Sequence, residues 1–319
     1  MKIVFLGTAD FGIPTLEALR QSSRHQLVGA VTGPDKPRGR GLESSPTPVG
    51  KWLASAGVTP VFKPQQLNDP AFVTALRAVE ADAFVVVAFR ILPEEVYTIP
   101  RFAFNLHASL LPAFRGAAPI QRAIMAGETV TGVTTFLLQK RVDTGDIIEQ
   151  VEQSIPQSAT AGDMFESLSH LGAETVMRTL DILDSGNFMP RRQDDSKASP
   201  APKLTDADLA LDFASPTIPL INRVRGLSPR PGGTVIFREN PVKILALLAH
   251  NDASLQTRAP GEIVAIDKSL GPIVETLDGL VAFGLIQPAG KKPITGAEFA
   301  RGHRPVVGEL FHSPSIKQT

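Results

Sequence analysis

An alternation of two patterns is what most narrows the folds open to this chain. Over the first 150 residues, short β-rich runs at 3–6, 27–31, 58–62, 83–88 and 102–106 are separated by stretches with helical spacing. A strand reached through a helical crossover lies parallel to its predecessor, so the pattern predicts an α/β fold with a mostly parallel, doubly wound (Rossmann-like) sheet. The intervening helices carry start signals. Thr47-Pro48 precedes Val49, Trp52, Leu53 and Ala56, and Asp69-Pro70 precedes Phe72, Leu76 and Val79, each set drawing one apolar helical face. After a strand-like run at 132–138, a long helical pattern begins at Thr160 and passes through Phe165, Leu168, Leu171, Val176, Leu180 and Leu183, with Gly186 placed to close it.

Residues 190–203, PRRQDDSKASPAPK, are polar, contain proline and lack periodicity, which reads as a linker. Beyond them come short β-rich runs at 234–237, 242–248, 261–266, 272–277 and 280–286, with a type I′ hairpin signal at Asp278-Gly279. About five short strands suit a small closed barrel, of which the OB-fold is the common five-stranded form. The expected organisation is a first domain over 1–189, a linker over 190–203 and a small OB-like β-barrel domain over 204–319.

Length and composition agree with two buried cores: 319 residues, 43% hydrophobic and 20% charged, exclude a disordered or fibrous chain. The absence of cysteine excludes a disulfide scaffold, a thiolate nucleophile and Cys-ligated zinc. With 32 basic against 32 acidic residues the net charge is zero, which disfavours a generally basic nucleic-acid binder but leaves local patches open. No apolar run approaches the ~20 residues of a membrane span and the opening segment is not a signal peptide, so a cytoplasmic location without a membrane partner is expected. The oligomeric state is not legible, and a monomer is compatible with the sequence.

The chemistry concentrates in few places. Gly7-Thr8-Ala9-Asp10-Phe11-Gly12 follows the first strand but matches neither G-x-G-x-x-G nor a P-loop, and reads as a tight β-α turn. FNLHASLLPAFRGAAPIQRA, at 104–123, leaves the fifth strand. Residues two apart on a strand share a face, so Asn105 and His107 project together at its carboxyl end, where open α/β sheets bind ligands. Asn offers an N–H donor and His exchanges a proton near neutral pH. Alone, His107 reads as a structural histidine; what changes the odds is VDTGD at 142–146, which supplies a carboxylate from a second loop. The other histidines, His25, His170, His250, His303 and His312, are scattered without ligand spacing, so no metal site is expected. Pro34 to Gly41, PDKPRGRG, is either a mobile solvated loop, as composition favours, or an arm for a phosphate backbone.

These motifs carry a resemblance. The opening IVFLGTADFG, PDKPRGRG, VVVAFRILP, FNLHASLLPAFRGAAPIQRA, TGVTTF, VDTGDII, APKLT and PVKIL resemble the methionyl-tRNA formyltransferases, within the wider group of 10-formyltetrahydrofolate-dependent formyltransferases. The resemblance implies that Asn105, His107 and Asp143 are the catalytic trio. It implies a folate-binding turn at Ser109, Leu110, Leu111 and Pro112, and a pterin pocket lined by Phe89, Arg90, Ile91 and Leu92, largely through backbone groups. The co-substrate would be 10-formyltetrahydrofolate and the partner initiator methionyl-tRNA. Arg40 matches the loop arginine used on the tRNA acceptor end, with Lys36 and Arg38 beside it; the barrel would be the tRNA-binding domain, with Arg223, Arg225 and Arg230 as further cations. The chain departs from the pattern at Leu42, Glu43 and Asp206, where relatives place lysines. AFRILP resembles the glycinamide ribonucleotide formyltransferases, and Gln139-Lys140-Arg141 the sugar-nucleotide formyltransferases.

Formyl transfer is attack by an uncharged amine on an amide-like carbon. Asn105 and His107 are suited to stabilise the developing oxyanion, and Asp143 to orient His107 and help move protons. The expected function is transfer of a formyl group from 10-formyltetrahydrofolate to methionyl-initiator tRNA; the alternative is an enzyme of the same architecture acting on an amino-sugar nucleotide.

Overall fold

The structure is a computed structural model and describes residues 1–38, 43–252, 255 and 258–315. In chain order the elements of the first part are β1 (Lys2–Gly7), α1 (Ile13–Gln21), β2 (Gln26–Val31), β3 (Lys36–Arg38), β4 (Glu43–Ser45), α2 (Pro48–Ala56), β5 (Val61–Phe62), α3 (Pro70–Arg77), β6 (Ala83–Val87), α4 (Glu94–Tyr97), β7 (Phe102–His107), α5 (Pro119–Met125), β8 (Val130–Leu137), β9 (Ile147–Ser154) and α6 (Ala161–Ser185). The chain forms two compact units. The first comprises Met1–Pro119, Val130–Ser154 and Phe165–Ala201; the second comprises Ile120–Thr129, Ile155–Met164 and Pro202 onward.

The first unit holds the expected sheet, in the order β5-β2-β1-β6-β7-β8-β9. β1, β2, β5, β6 and β7 pair in parallel, while β8 and β9 run antiparallel. Helices cover both faces of a parallel sheet, which is why β6 is apolar at every position and buried throughout. The helix starts follow their signals. The Thr47 hydroxyl accepts from Gly50 N at 2.9 Å with Pro48 in the first turn, and Asp69 accepts from Ala71 N at 2.9 Å with Pro70 following. Gly186, at φ +73°, closes α6.

The polar stretch after α6 is stitched into this unit. Arg191 and Ile147 exchange backbone hydrogen bonds at 2.8 Å, and Ser199 O and Ala201 N bracket Arg115 at 2.8 and 2.6 Å. Its lack of periodicity reflects pairing through irregular backbone, which leaves no repeat of 2 or 3.6 to read.

The second unit adds α7 (Asp206–Leu209), α8 (Thr217–Leu227), β10 (Gly233–Phe237), β11 (Asn240–His250), β12 (Ile263–Asp267), β13 (Gly271–Glu275), β14 (Leu280–Pro288), α9 (Gly296–His303) and β15 (Phe311–His312). The sheet order is β12-β13-β14-β11-β10-β15, all antiparallel. Its two outer edges meet: Ile263 N donates to Glu309 O at 2.8 Å and Phe311 N to Gly261 O at 2.8 Å, so the sheet curls into the small barrel expected. Phe237, Phe283, Phe299 and Phe311 fill it, with the rings of Phe237 and Phe311 stacked at 4.5 Å.

The hairpin turn differs from its expected register. Thr276 N donates to Gly279 O at 2.8 Å, so Leu277 and Asp278 form the two-residue loop, and neither has a positive φ. Asp278 is drawn instead to the start of α8, where its Oδ1 accepts from Thr217 N at 2.7 Å and Thr217 Oγ1 at 2.8 Å. A tertiary contact has overridden the local turn preference.

Candidate active site

β7 leaves the sheet between parallel β6 and antiparallel β8, and its last residues open onto the carboxyl edge. Asn105 and His107, two apart, share a face there. His107 is buried, and its Nε2 lies 2.9 Å from Phe114 O. A carbonyl oxygen only accepts, so Nε2 carries the proton and Nδ1 is the nitrogen free to exchange one. Nδ1 faces Asp143 Oδ2 at 4.0 Å. Asn105, half-buried, makes no side-chain hydrogen bond to another described residue, so its amide is a donor without a protein partner.

Asp143 is held from several sides. Its backbone is left-handed, at φ +55°, a conformation that costs a non-glycine residue about 1–3 kcal/mol and persists only where neighbours enforce it. Its Oδ2 accepts from Gly116 N at 2.9 Å. Gly116 has φ +129°, and a Cβ there would fall 2.5 Å from Ala201 O, so only glycine brings this N–H to the carboxylate. Glycine at 145 answers a second close approach, since a Cβ would fall 1.7 Å from Leu137 O. Gln193 then ties the loop down: its Nε2 donates to Asp143 O at 3.0 Å and Gly145 O at 2.7 Å, while its Oε1 accepts from Arg115 Nε at 3.2 Å and Nη2 at 2.7 Å. Arg115 also donates to Asp195 Oδ1 at 2.7 Å, and that hydrogen bond holds the Asp195 carboxyl below the usual carboxylate range.

A cleft beside Asn105 is walled by Phe89, Arg90, Ile91, Leu92 and Tyr97 on one side and by residues 138–143 on the other. The backbone groups of residues 89–92 make no hydrogen bond to another described residue. The Arg90 side chain is spent, donating to Gln65 O at 2.9 Å and Pro64 O at 2.8 Å. Ser109, Leu110, Leu111 and Pro112 do not line this cleft. Ser109 O accepts from Thr134 Oγ1 at 2.7 Å, Leu111 N donates to the same hydroxyl at 3.1 Å, and Leu111 O accepts from Gln150 Nε2 at 2.7 Å. Leu111 packs against Phe136 and Ile147. Most of the turn's backbone is therefore used inside the protein.

The basic positions also sort themselves. Lys36 and Arg38 lie on β3, which pairs with β4 as a short ribbon in place of the expected irregular loop; Arg40 and Leu42 lie outside the described residues. Arg223 and Arg225, read as surface cations, donate to main-chain carbonyls: Arg223 Nε to Asp208 O at 2.9 Å, and Arg225 Nε to Ala159 O at 3.0 Å. Arg230 is exposed. Among the described residues no three His, Asp or Glu side chains gather as metal ligands, and no helix is long and apolar enough to cross a membrane.

Sequence reasoning missed Gln150 altogether, and quoted Gln193, Thr134 and Arg115 within longer segments without giving them a role. A buried amide in an aperiodic stretch carries no periodic or charge signal, so only the fold reveals it.

The model of the family described as Formyl transferase matches residues 1–180, and that described as Formyl transferase, C-terminal domain, matches residues 203–304. Sheet, cleft and the two matches together define a formyl transferase. Among relatives, Methionyl-tRNA formyltransferase of Natranaerobius thermophilus is 38% identical over 95% of this chain and 97% of its own length. That of Thermobifida fusca is 39% identical over 98% and 99%. The chain belongs to the methionyl-tRNA formyltransferase family. Solved structures share the fold: HypX from Aquifex aeolicus in complex with tetrahydrofolic acid has a TM-score of 0.65 at 17% identity, matching 97% of this chain and 48% of that one, so the chain spans about half of HypX. Methionyl-tRNA formyltransferase from Clostridium thermocellum has a TM-score of 0.54 at 13% identity, over 80% and 95%.

Proposed function

We propose that this chain transfers the formyl group of 10-formyltetrahydrofolate to the amino group of methionyl-initiator tRNA in the cytoplasm, using Asn105, His107 and Asp143. The relatives' shared name and near full-length match support the substrates. The observation that carries the chemistry is Asp143 Oδ2 4.0 Å from His107 Nδ1, with the Asn105 amide unpartnered at the adjoining cleft. In the reaction the amine lone pair forms a C–N bond to the formyl carbon as the carbonyl pair moves to oxygen. Collapse restores the carbonyl and breaks the bond to the folate nitrogen, which leaves with that pair and takes up a proton while the amine gives one up. Asn105 donates to the oxyanion, a contribution of about 10² to 10³ in rate. His107 exchanges protons through Nδ1, because Nε2 is held by Phe114 O. Asp143 stabilises the imidazolium that forms, its carboxylate kept in place by Gly116 N.

Residues 89–92 offer main-chain donors and acceptors to a flat pterin, and the structural relative HypX is solved with tetrahydrofolic acid. Residues 109–112 form the folate-binding turn in this reading, with part of their backbone braced by Thr134 and Gln150. In this reading residues 1–189 form the catalytic domain, 190–203 the linker and 204–319 the tRNA-binding domain, with Lys36, Arg38 and Arg40 meeting the acceptor end. The test is competition. Purified protein given 10-formyltetrahydrofolate with charged initiator tRNA and an amino-sugar nucleotide together is expected to produce formylmethionine. Preferential formylation of the sugar would overturn the choice of acceptor.

A further inference from the structure

Gln193 stands outside the proposed trio, yet it is the side chain most committed to the Asp143 loop. It is buried, and all its hydrogen-bonding capacity is used: two donors on the carbonyls of Asp143 and Gly145, two acceptor positions on Arg115. The amide thus reads a single backbone arrangement, one in which the carbonyls of residues 143 and 145 converge. That arrangement includes the left-handed φ of Asp143, which aims the carboxylate at His107 Nδ1. The charged Arg115 polarises the amide from its far side and strengthens both donated bonds. Asparagine is one methylene short of spanning from Arg115 to the loop. Glutamate would turn a carboxylate oxygen toward two carbonyl oxygens.

We propose that Gln193 is a positioning residue for formyl transfer: with Arg115 it holds residues 143–145 in the one backbone state that keeps the Asp143 carboxylate over His107. This rests on the formyl-transfer reading of the same site. Without the amide, Asp143 relaxes to an ordinary negative φ and its carboxylate leaves the imidazole; Asp143 ends the facing cleft wall, but residues 89–92, which take the pterin in this reading, keep their place. The loss therefore falls on kcat and spares the KM for the folate donor.

The experiment compares wild type, Gln193→Ala, Gln193→Met, Asp143→Ala and the double variant Gln193→Ala/Asp143→Ala in formylmethionine formation, with folding followed by circular dichroism. Gln193→Met keeps the volume and removes the donors, so it separates hydrogen bonding from packing. The expected result is a fall in kcat of about 10- to 100-fold in both Gln193 variants, with donor KM within about threefold of wild type. Gln193→Ala should add nothing further in the Asp143→Ala background, because it acts only through that carboxylate. A multiplicative loss in the double variant, unchanged kcat in Gln193→Met, or failure of both single Gln193 variants to fold would overturn the proposal. A wild type that forms no formylmethionine, or an Asp143→Ala with full turnover, would instead overturn the functional reading beneath it.

Discussion

At the candidate site, two side chains keep polar groups free while nearby and distant arginines have theirs committed. Asn105 lines the cleft and His107 Nδ1 faces Asp143 at 4.0 Å, neither with a protein partner at hydrogen-bond distance, whereas Arg90, Arg223 and Arg225 donate to carbonyls. Asn105→Ala should lower kcat by about 10² to 10³ with an unchanged thermal midpoint, since it removes an oxyanion donor and no protein hydrogen bond; a midpoint loss matching the activity loss would make Asn105 structural. A second residue-scale expectation concerns acid. Arg122 donates to both oxygens of Asp208, at 2.6 and 2.8 Å, and holds its carboxyl at about 2, against an ordinary value of 3.8. A carboxyl depressed on folding contributes stability that is fully present above its unfolded value and lost as pH falls through the folded one. Asp208→Asn should therefore cost about 2 kcal/mol near neutrality, with the gap from wild type closing between pH 4 and 2 in urea titrations. Asn105 and His107 were legible because period two is a property of any strand. The worth of Gln193 was not, because it depends on carbonyls some fifty residues away in sequence.

Among the elements, those with a period were foreseen and those defined by a tertiary contact were not. The parallel strands, the α2 and α3 caps and the Gly186 stop all match local signals, while the turn at Asp278 yields to α8. The β3–β4 ribbon was read as loop because the surrounding stretch 34–41 is half proline and glycine and the pairing spans only three residues a side. Lys36 is exposed on it. Replacing Lys36 with alanine should lower the salt dependence of tRNA affinity by about 0.7 to 0.9 in log–log slope and leave donor binding unchanged; an unchanged slope would remove the ribbon from the interface. In the barrel, Phe311 packs on Phe237 and Phe283 and its strand joins the two sheet edges. Phe311→Ala should cost about 3–5 kcal/mol in chemical denaturation, and a loss below about 1 kcal/mol would show that the ring cluster does not hold the barrel. The Leu111 side chain, buried against Phe136 and Ile147, makes a charged replacement there a test of folding and not of folate binding.

For the molecule as a whole, the fold was within reach of the sequence because parallel strands and barrel imprint different patterns, and the family because FNLHASLLP and VDTGD resemble its motifs. What escaped was the division of labour around the site: residues 190–201 pair with the loops that carry the chemistry, and a linker's composition does not reveal what its backbone is bonded to. The central claim is that formyl transfer runs through His107, with Nδ1 as the nitrogen that exchanges the proton. The most direct test is single-turnover formylmethionine formation, with wild type and His107→Ala each saturated with 10-formyltetrahydrofolate and charged initiator tRNA. The expected result is rapid transfer by wild type and a rate lower by about 10² to 10⁴ in a folded variant; a folded His107→Ala that transfers at the wild-type rate would contradict it.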